Sequence, residues 1–269
     1  MYINEQYQDL ELIEKETHYY IGRDGQEYEE EEPVLAEHLM DIFINERLTM
    51  KVICSPQRLA ELVLGRLFTE SMISSVDEID SIYICEHGRR AKVLLKNKEE
   101  EAAKGDYVEV TPTCCTGNHV LNDYFVNHRE VSAVEEIPWK RSWIFDLADA
   151  FRAGMPLHNQ TFATHSCFLA QDGKLLFQCE DIGRHNALDK VIGYALRNQI
   201  DLTKCVVYSS GRVPTDMVMK AIRAGIPVFA SKASPTREAI WLAERYHLTL
   251  VCAARSDRMK QYTGKRPCE

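Results

Sequence analysis

The sequence predicts an α/β protein, with a regular C-terminal α/β layer following a smaller α+β unit. Two observations carry this. From Thr164 onward, short apolar runs alternate with helical stripes in strand–helix–strand order, which calls for parallel strands joined by right-handed crossovers. Before residue 135, short strand-like runs surround one strong helix, and the composition changes near Glu135-Glu136-Ile137-Pro138. The expected units are therefore residues 1–135 and 136–269.

Taken in order, residues 1–35 are polar and weakly patterned and read as extended arms or short strands. Within them Glu27-Tyr28-Glu29-Glu30-Glu31-Glu32 reads as a solvated, flexible acidic run. Leu48 to Cys54 reads as a strand, and Ser55-Pro56 as the cap and first residue of a helix with Leu59, Leu62, Val63, Arg66 and Leu67 on one face. Strands are expected from Ile79 to Cys85, Arg90 to Leu95 and Tyr107 to Val110, the last leading directly into Thr111-Pro112-Thr113-Cys114-Cys115-Thr116-Gly117-Asn118. Ser142 is the expected cap of a helix carrying Trp143, Leu147, Ala150 and Phe151, stopped by Gly154 and Pro156. A hairpin turns at Gln171-Asp172-Gly173-Lys174. Three further strands, Cys205 to Ser209, Ile226 to Ala230 and Leu248 to Ala253, are separated by helices from about Pro214 to Ala224 and from Arg237 to Tyr246.

Composition narrows the function classes. The 269 residues are 45% hydrophobic and 27% charged, ordinary values for a soluble globular chain. A net charge of −9 argues against non-specific nucleic-acid binding. No apolar run approaches membrane-spanning length, and Met1-Tyr2-Ile3-Asn4-Glu5 lacks the features of a signal peptide. Nine cysteines in that context indicate a reducing, cytoplasmic compartment, and none of their spacings forms a paired C-x-x-C zinc framework, so no metal is expected.

Two places carry chemistry. Cys114 and Cys115 sit in a turn-rich stretch, and adjacent residues are too close for an unstrained disulfide, so the pair is read as two free thiols. The second place is the set of strand ends, where open α/β sheets bind ligands. Gly183, Arg184 and His185 follow one strand, and Ser210, Gly211 and Arg212 another. Lys232, Ser234 and Thr236 follow a third, and Arg255 and Arg258 the last. Glycine and hydroxyl residues before helices offer N–H donors, and arginine grips phosphate bidentately, which points to a nucleotide or other phosphorylated ligand. A lone Ser-Gly-Arg is ordinarily a turn, His185 can cap its own helix, and Asp181 and Asp189 can pair with Arg184 and Lys190. Recurrence at several strand ends carries the reading.

The segment Glu180-Asp181-Ile182-Gly183-Arg184-His185-Asn186-Ala187-Leu188-Asp189-Lys190 resembles the signature of the FdhD family, the formate dehydrogenase accessory sulfurtransferases. The resemblance extends to Leu64-Gly65-Arg66-Leu67-Phe68-Thr69-Glu70, Phe162-Ala163-Thr164-His165, Ser210-Gly211-Arg212-Val213 and Ser234-Pro235-Thr236, and runs from about residue 45 to 262. It implies a cytidine-deaminase-like C-terminal domain with a smaller N-terminal domain, as a cytoplasmic homodimer. It implies a cysteine persulfide on Cys114 or Cys115, loaded by a cysteine desulfurase, and sulfur passage to the molybdenum (or tungsten) bis-molybdopterin guanine dinucleotide cofactor of formate dehydrogenase. It also implies cofactor contacts from Ala253, Ala254, Arg255, Ser256, Asp257 and Arg258, with guanine nucleotide as a partial mimic. Relatives carry C-x-x-C where this chain has adjacent cysteines, which leaves open which one holds the sulfur. Two other readings stand beside it: a cofactor-binding chaperone without sulfur chemistry, and a generic thiol redox protein.

Overall fold

A computed structural model describes residues 1–7, 10–97, 109–111 (backbone only) and 131–268. The first part of the chain contains β1 (Tyr2–Glu5), β2 (Ile13–Ile21), β3 (Glu27–Leu35), β4 (His38–Ile44), β5 (Arg47–Cys54), α1 (Leu59–Thr69), β6 (Ile79–Ile84), β7 (Arg90–Leu95) and β8 (Glu109–Thr111). Six of these strands form a mixed sheet in the order β1-β6-β7-β4-β5-β8, while β2 and β3 form a separate hairpin. Alternation decides what the sheet buries. Met40 and Ile42 on β4, Val52 and Cys54 on β5, Ile82 and Ile84 on β6, and Val93 on β7 share one core with Leu59, Leu62, Val63 and Leu67 of α1.

The rest contains α2 (Arg141–Ala153), α3 (Pro156–Thr161), β9 (His165–Gln171), β10 (Lys174–Asp181), α4 (Arg184–Arg197), β11 (Cys205–Ser209), α5 (Thr215–Arg223), β12 (Val228–Ser231), α6 (Arg237–Arg245), β13 (Thr249–Cys252) and β14 (Lys260–Gln261). The second sheet runs β10-β9-β11-β12-β13-β14, with β11, β12 and β13 parallel as expected. Its two faces are both covered, which is why its strands are almost continuously apolar. Cys167, Val207, Phe229 and Leu250 face a core shared with α4, α5 and α6. Phe168, Val206, Tyr208 and Val251 face one built with Trp139 and α2.

Four expectations change. The acidic run is not a flexible segment: it forms strand β3, where Glu30 lies opposite His18 and Tyr28 opposite Tyr20. The His18–Glu30 contact of 3.1 Å and the stacked Tyr20–Tyr28 rings offset the like charges. Strand β4, not anticipated, closes a hairpin with β5 through Asn45-Glu46, both at positive φ (46° and 67°). Ser55 and Pro56 do not open a helix; α1 begins at Leu59 after Arg58, and Ser55 is held elsewhere, as described below. Helix α2 is not capped by Ser142: it starts at Arg141, after Lys140 has made a bridge to Cys268.

The two sheets meet through α1 and α4, which cross at two glycines. A Cβ on Gly65 would lie 1.8 Å from the Asp189 carbonyl oxygen, and one on Gly193 would lie 1.8 Å from that of Glu61. Around this backbone contact is a buried ionic cluster. Arg66 Nε is 3.0 Å from Asp189 Oδ2. Lys220 Nζ reaches Asp189 Oδ1 at 2.9 Å, Glu70 Oε1 at 2.9 Å and the Thr69 hydroxyl at 2.8 Å. A second centre pairs Lys190 with Asp181 at 2.6 Å, and here Ser55 finds its role. Its carbonyl accepts from Lys190 Nζ at 3.0 Å, and its N–H donates to Asp181 Oδ2 at 3.2 Å.

Candidate functional site

Because β9 runs antiparallel to both β10 and β11, the carboxyl ends of β10, β11, β12 and β13 and the start of β9 all lie along one edge of the second sheet. The loops there are built by short local bonds. Ser210 N–H donates to Ser166 O and Ser166 N–H to Ser210 Oγ, both at 2.9 Å. Gly211 must be glycine because a Cβ would lie 2.9 Å from Arg184 Cβ and 3.5 Å from His165 Nδ1. That packing brings Arg184, Gly211 and His165 together. The Ser231 hydroxyl donates to Gly211 O at 2.6 Å and accepts from Ala233 N–H at 3.0 Å. Ser234 O accepts from Val213 N–H at 3.1 Å, tying the β11 and β12 loops side by side. Beyond β13, Ala253 takes φ 50° and donates to Ala233 O, and buried Ala254 donates to Ser231 O.

The cations stand at the mouth of this frame. Arg212, Arg255 and Arg258 are exposed, while Arg184 and Lys232 are half-buried. Lys232 Nζ lies 4.7 Å above the Phe151 ring. Ser256 is half-buried, and exposed Asp257 lies 3.5 Å from Arg258 Nη1. Thr236 spends its oxygen on its own helix, accepting from Ala239 N–H at 3.2 Å.

His185 does not cap its helix. Its Nε2 lies 2.6 Å from Asp216 Oδ2 at the start of α5. Burial alone would raise the Asp216 carboxyl, but the His185 hydrogen bond and charge more than offset that, so it falls below the ordinary aspartate range. His165, at the start of β9, is pushed the other way from a charged state. Burial lowers it first, and the nearby positive charges of Arg184, His158 and His185 lower it further.

The long signature segment therefore divides in two. Arg184 and His185 lie at the rim, while Gly183 is buried with its N–H donated to Asp181 Oδ1 at 2.9 Å, and Asp181, Asn186, Asp189 and Lys190 are buried and bind the first half of the chain. Asn186 donates to Ile53 O at 2.8 Å and accepts from Arg66 Nη2 at 2.8 Å. Asp181 pairs with Lys190 within the segment, but Asp189 pairs with Arg66 and Lys220 outside it. Burial disfavours the charge on Lys190, yet Asp181 and neighbouring Cys54 and Cys179 outweigh it and its ammonium is held above the usual lysine range. Glu180 is also structural. It accepts from the Leu157 and His158 N–H groups at 2.9 and 2.7 Å and from the Thr164 hydroxyl at 2.9 Å, fixing the short helix α3 at the rim.

Cys114 and Cys115 lie outside the described residues. Of the described cysteines, burial pushes the thiols of Cys179, Cys205 and Cys252 up to about 12, and those of Cys54 and Cys167 also upward. Such thiols are poor nucleophiles near neutral pH. His165, His158 and Asp216 are the rim residues that strand-end reasoning left out. The antiparallel hairpin before β10 was the signal for His165, since it returns the start of β9 to the same edge.

Comparison with known proteins bears on the chain as a whole. The model of the FdhD/NarQ family matches residues 35–268. A sulfur carrier protein FdhD from Listeria monocytogenes is 30% identical over 237 residues, 87% of this chain and 90% of its own. One from Bacillus pumilus is 31% identical over 244 residues, 90% and 92% of the two chains. A crystal structure assigned as a formate dehydrogenase accessory protein from Desulfotalea psychrophila superposes with a TM-score of 0.78 at 28% identity, covering 95% of this chain and 99% of the other. With nearly the whole of its length matched by sequence and by fold, this chain belongs to the FdhD/NarQ family.

Proposed function

We propose that this protein is a sulfur carrier that receives persulfide sulfur from a cysteine desulfurase on Cys114 or Cys115. It then passes the sulfur to the bis-molybdopterin guanine dinucleotide form of the molybdenum cofactor, its substrate, before that cofactor enters formate dehydrogenase. The observation that carries the proposal is the rim, where four strand ends and five cations converge on one edge of the second sheet. Phosphates of a guanine dinucleotide match that charge, and Arg212, Arg255 and Arg258 are the exposed groups that meet them. The thiolate attacks the terminal sulfur of the desulfurase persulfide, the old S–S bond breaks, and the desulfurase thiolate leaves. Attack of the second thiolate on the inner sulfur releases the outer one as hydrosulfide and leaves a strained Cys114–Cys115 disulfide, which a thiol reductant then reopens. Strand β8 runs beside β5, and in sequence it precedes the cysteine pair by two residues.

The proposal includes a homodimer working in the cytoplasm and a division of the chain near residue 135. It also includes a cytidine-deaminase-like second unit, a reading supported by the antiparallel β9–β10 hairpin next to three parallel strands, with helices on both faces. No helix among the described residues is long and apolar enough to cross a membrane.

Intact mass after incubation with a cysteine desulfurase and cysteine tests the central step. One added sulfur on the wild type, lost in either Cys114→Ala or Cys115→Ala, is the expected result and assigns the carrier. An active desulfurase that leaves the wild type unmodified refutes the carrier and favours a cofactor-binding chaperone.

A further inference from the structure

Phe162 stands beside the rim with its side chain turned to water. At 77% exposure it is the most exposed large hydrophobic residue among those described. Isolated exposed apolar residues are common, so exposure alone assigns nothing. The backbone supplies a second observation. Phe162 terminates α3 at φ 53° and ψ 12°, the left-handed cap conformation that glycine takes freely. For a bulky residue this conformation is strained, and such strain concentrates at ligand sites. Solvation and backbone conformation both oppose a phenylalanine here.

Position supplies the third. The Phe162 ring meets His158 edge to face, with centroids 5.7 Å apart at 73°. His158 is anchored by its Nδ1 contact of 3.0 Å with Thr164 O and lies 6.0 Å from the Phe151 ring, which carries the Lys232 ammonium. One end of this row of rings is a free aromatic face and the other a rim cation. A flat heteroaromatic ring joined to phosphates fits such a row, because stacking takes the ring and the cations take the phosphates.

We propose that Phe162 is the stacking platform for the guanine ring of the ligand whose phosphates occupy the rim. This rests on the reading of the rim as a guanine-nucleotide site. The strained cap leaves the ring exposed, and His158 packs against it at 73°. Pterins share the aminopyrimidinone ring of guanine, so the two ring sources are separated by assay.

The test titrates the full chain, as wild type, Phe162→Gly and Phe162→Trp, with GDP, pyrophosphate and a phosphate-free pterin by calorimetry. Phe162→Gly is expected to weaken GDP binding about tenfold and leave pyrophosphate binding unchanged. Its thermal midpoint is expected to hold or rise, since glycine suits the left-handed cap. Phe162→Trp restores GDP affinity, with a change in tryptophan emission on binding that the wild type lacks. Unchanged GDP affinity in Phe162→Gly overturns the assignment, as does an equal fall for pyrophosphate or a loss confined to the pterin. A shift in oligomeric state at unaltered GDP affinity also overturns it, making Phe162 an interface residue. A wild type that binds neither GDP nor pyrophosphate defeats the rim reading itself, and the platform with it.

Discussion

Gly65→Ala places two effects of opposite sign in competition. On helix propensity alone, alanine in the interior of α1 would stabilise the protein by about 1 kcal/mol. The tertiary structure predicts the reverse. The added Cβ would sit 1.8 Å from the Asp189 carbonyl oxygen and 2.9 Å from the Gly193 nitrogen, both backbone atoms that no rotamer change can move. Ordinary contact begins near 3.4 Å, so α1 and α4 must part by about 1.6 Å. Overpacking of this kind costs about 1–3 kcal/mol. The separation also stretches the Arg66–Asp189 contact, now 3.0 Å, and the Lys220–Glu70 contact, now 2.9 Å, and opening a buried ion pair costs about 3–5 kcal/mol. A net loss of about 3 kcal/mol or more is expected, against a total stability on the order of 5–15 kcal/mol. Urea unfolding of wild type and variant, followed by circular dichroism, measures it. A variant as stable as wild type, or more so, refutes the argument that backbone contact between the two helices holds the halves together.

Lys220→Met removes the cation shared by Asp189, Glu70 and Thr69 while keeping the methylene volume; a loss of about 3–5 kcal/mol in the same titration is expected, and a loss below about 1 kcal/mol would mean that Arg66 alone satisfies both carboxylates. For pH, His165 is held below its ordinary value of about 6.5 in the fold, so the unfolded chain takes up that proton first. Its contribution is complete above the unfolded value and is lost as pH falls from about 6.5 toward the lowered folded value. His165→Gln should therefore flatten the fall of melting temperature between neutral and mildly acidic pH, and superimposable profiles would contradict the assignment.

What was legible follows from how local each signal is. Strands β9 and β11 to β13 were readable because strands covered on both faces need unbroken apolar runs, and Asp172-Gly173 supplied the positive φ that the β9–β10 hairpin requires. Strand β4 was not, since its turn uses Asn45-Glu46 and Glu is an unusual residue for left-handed backbone. The acidic stretch was legible as an exposed, extended segment, but its pairing with β2 was not, because charge describes solvation and not pairing. At the rim, Arg212, Arg255 and Arg258 were found from one rule, that ligands meet strand ends, and that rule needs only element order.

The sequence by itself determined the family, the alternation that builds the second sheet, and the residues that follow each strand, because these depend on neighbours along the chain. Only the tertiary structure decided what Ser55, Arg66, Asp189 and Lys220 do. Thr69 and Asp189, joined by a 2.8 Å hydrogen bond, are 120 residues apart, and no local pattern can announce that partnership. A buried charge is tolerated only where its counter-charge is also buried, so the meaning of a conspicuous Asp or Lys belongs to the packed molecule.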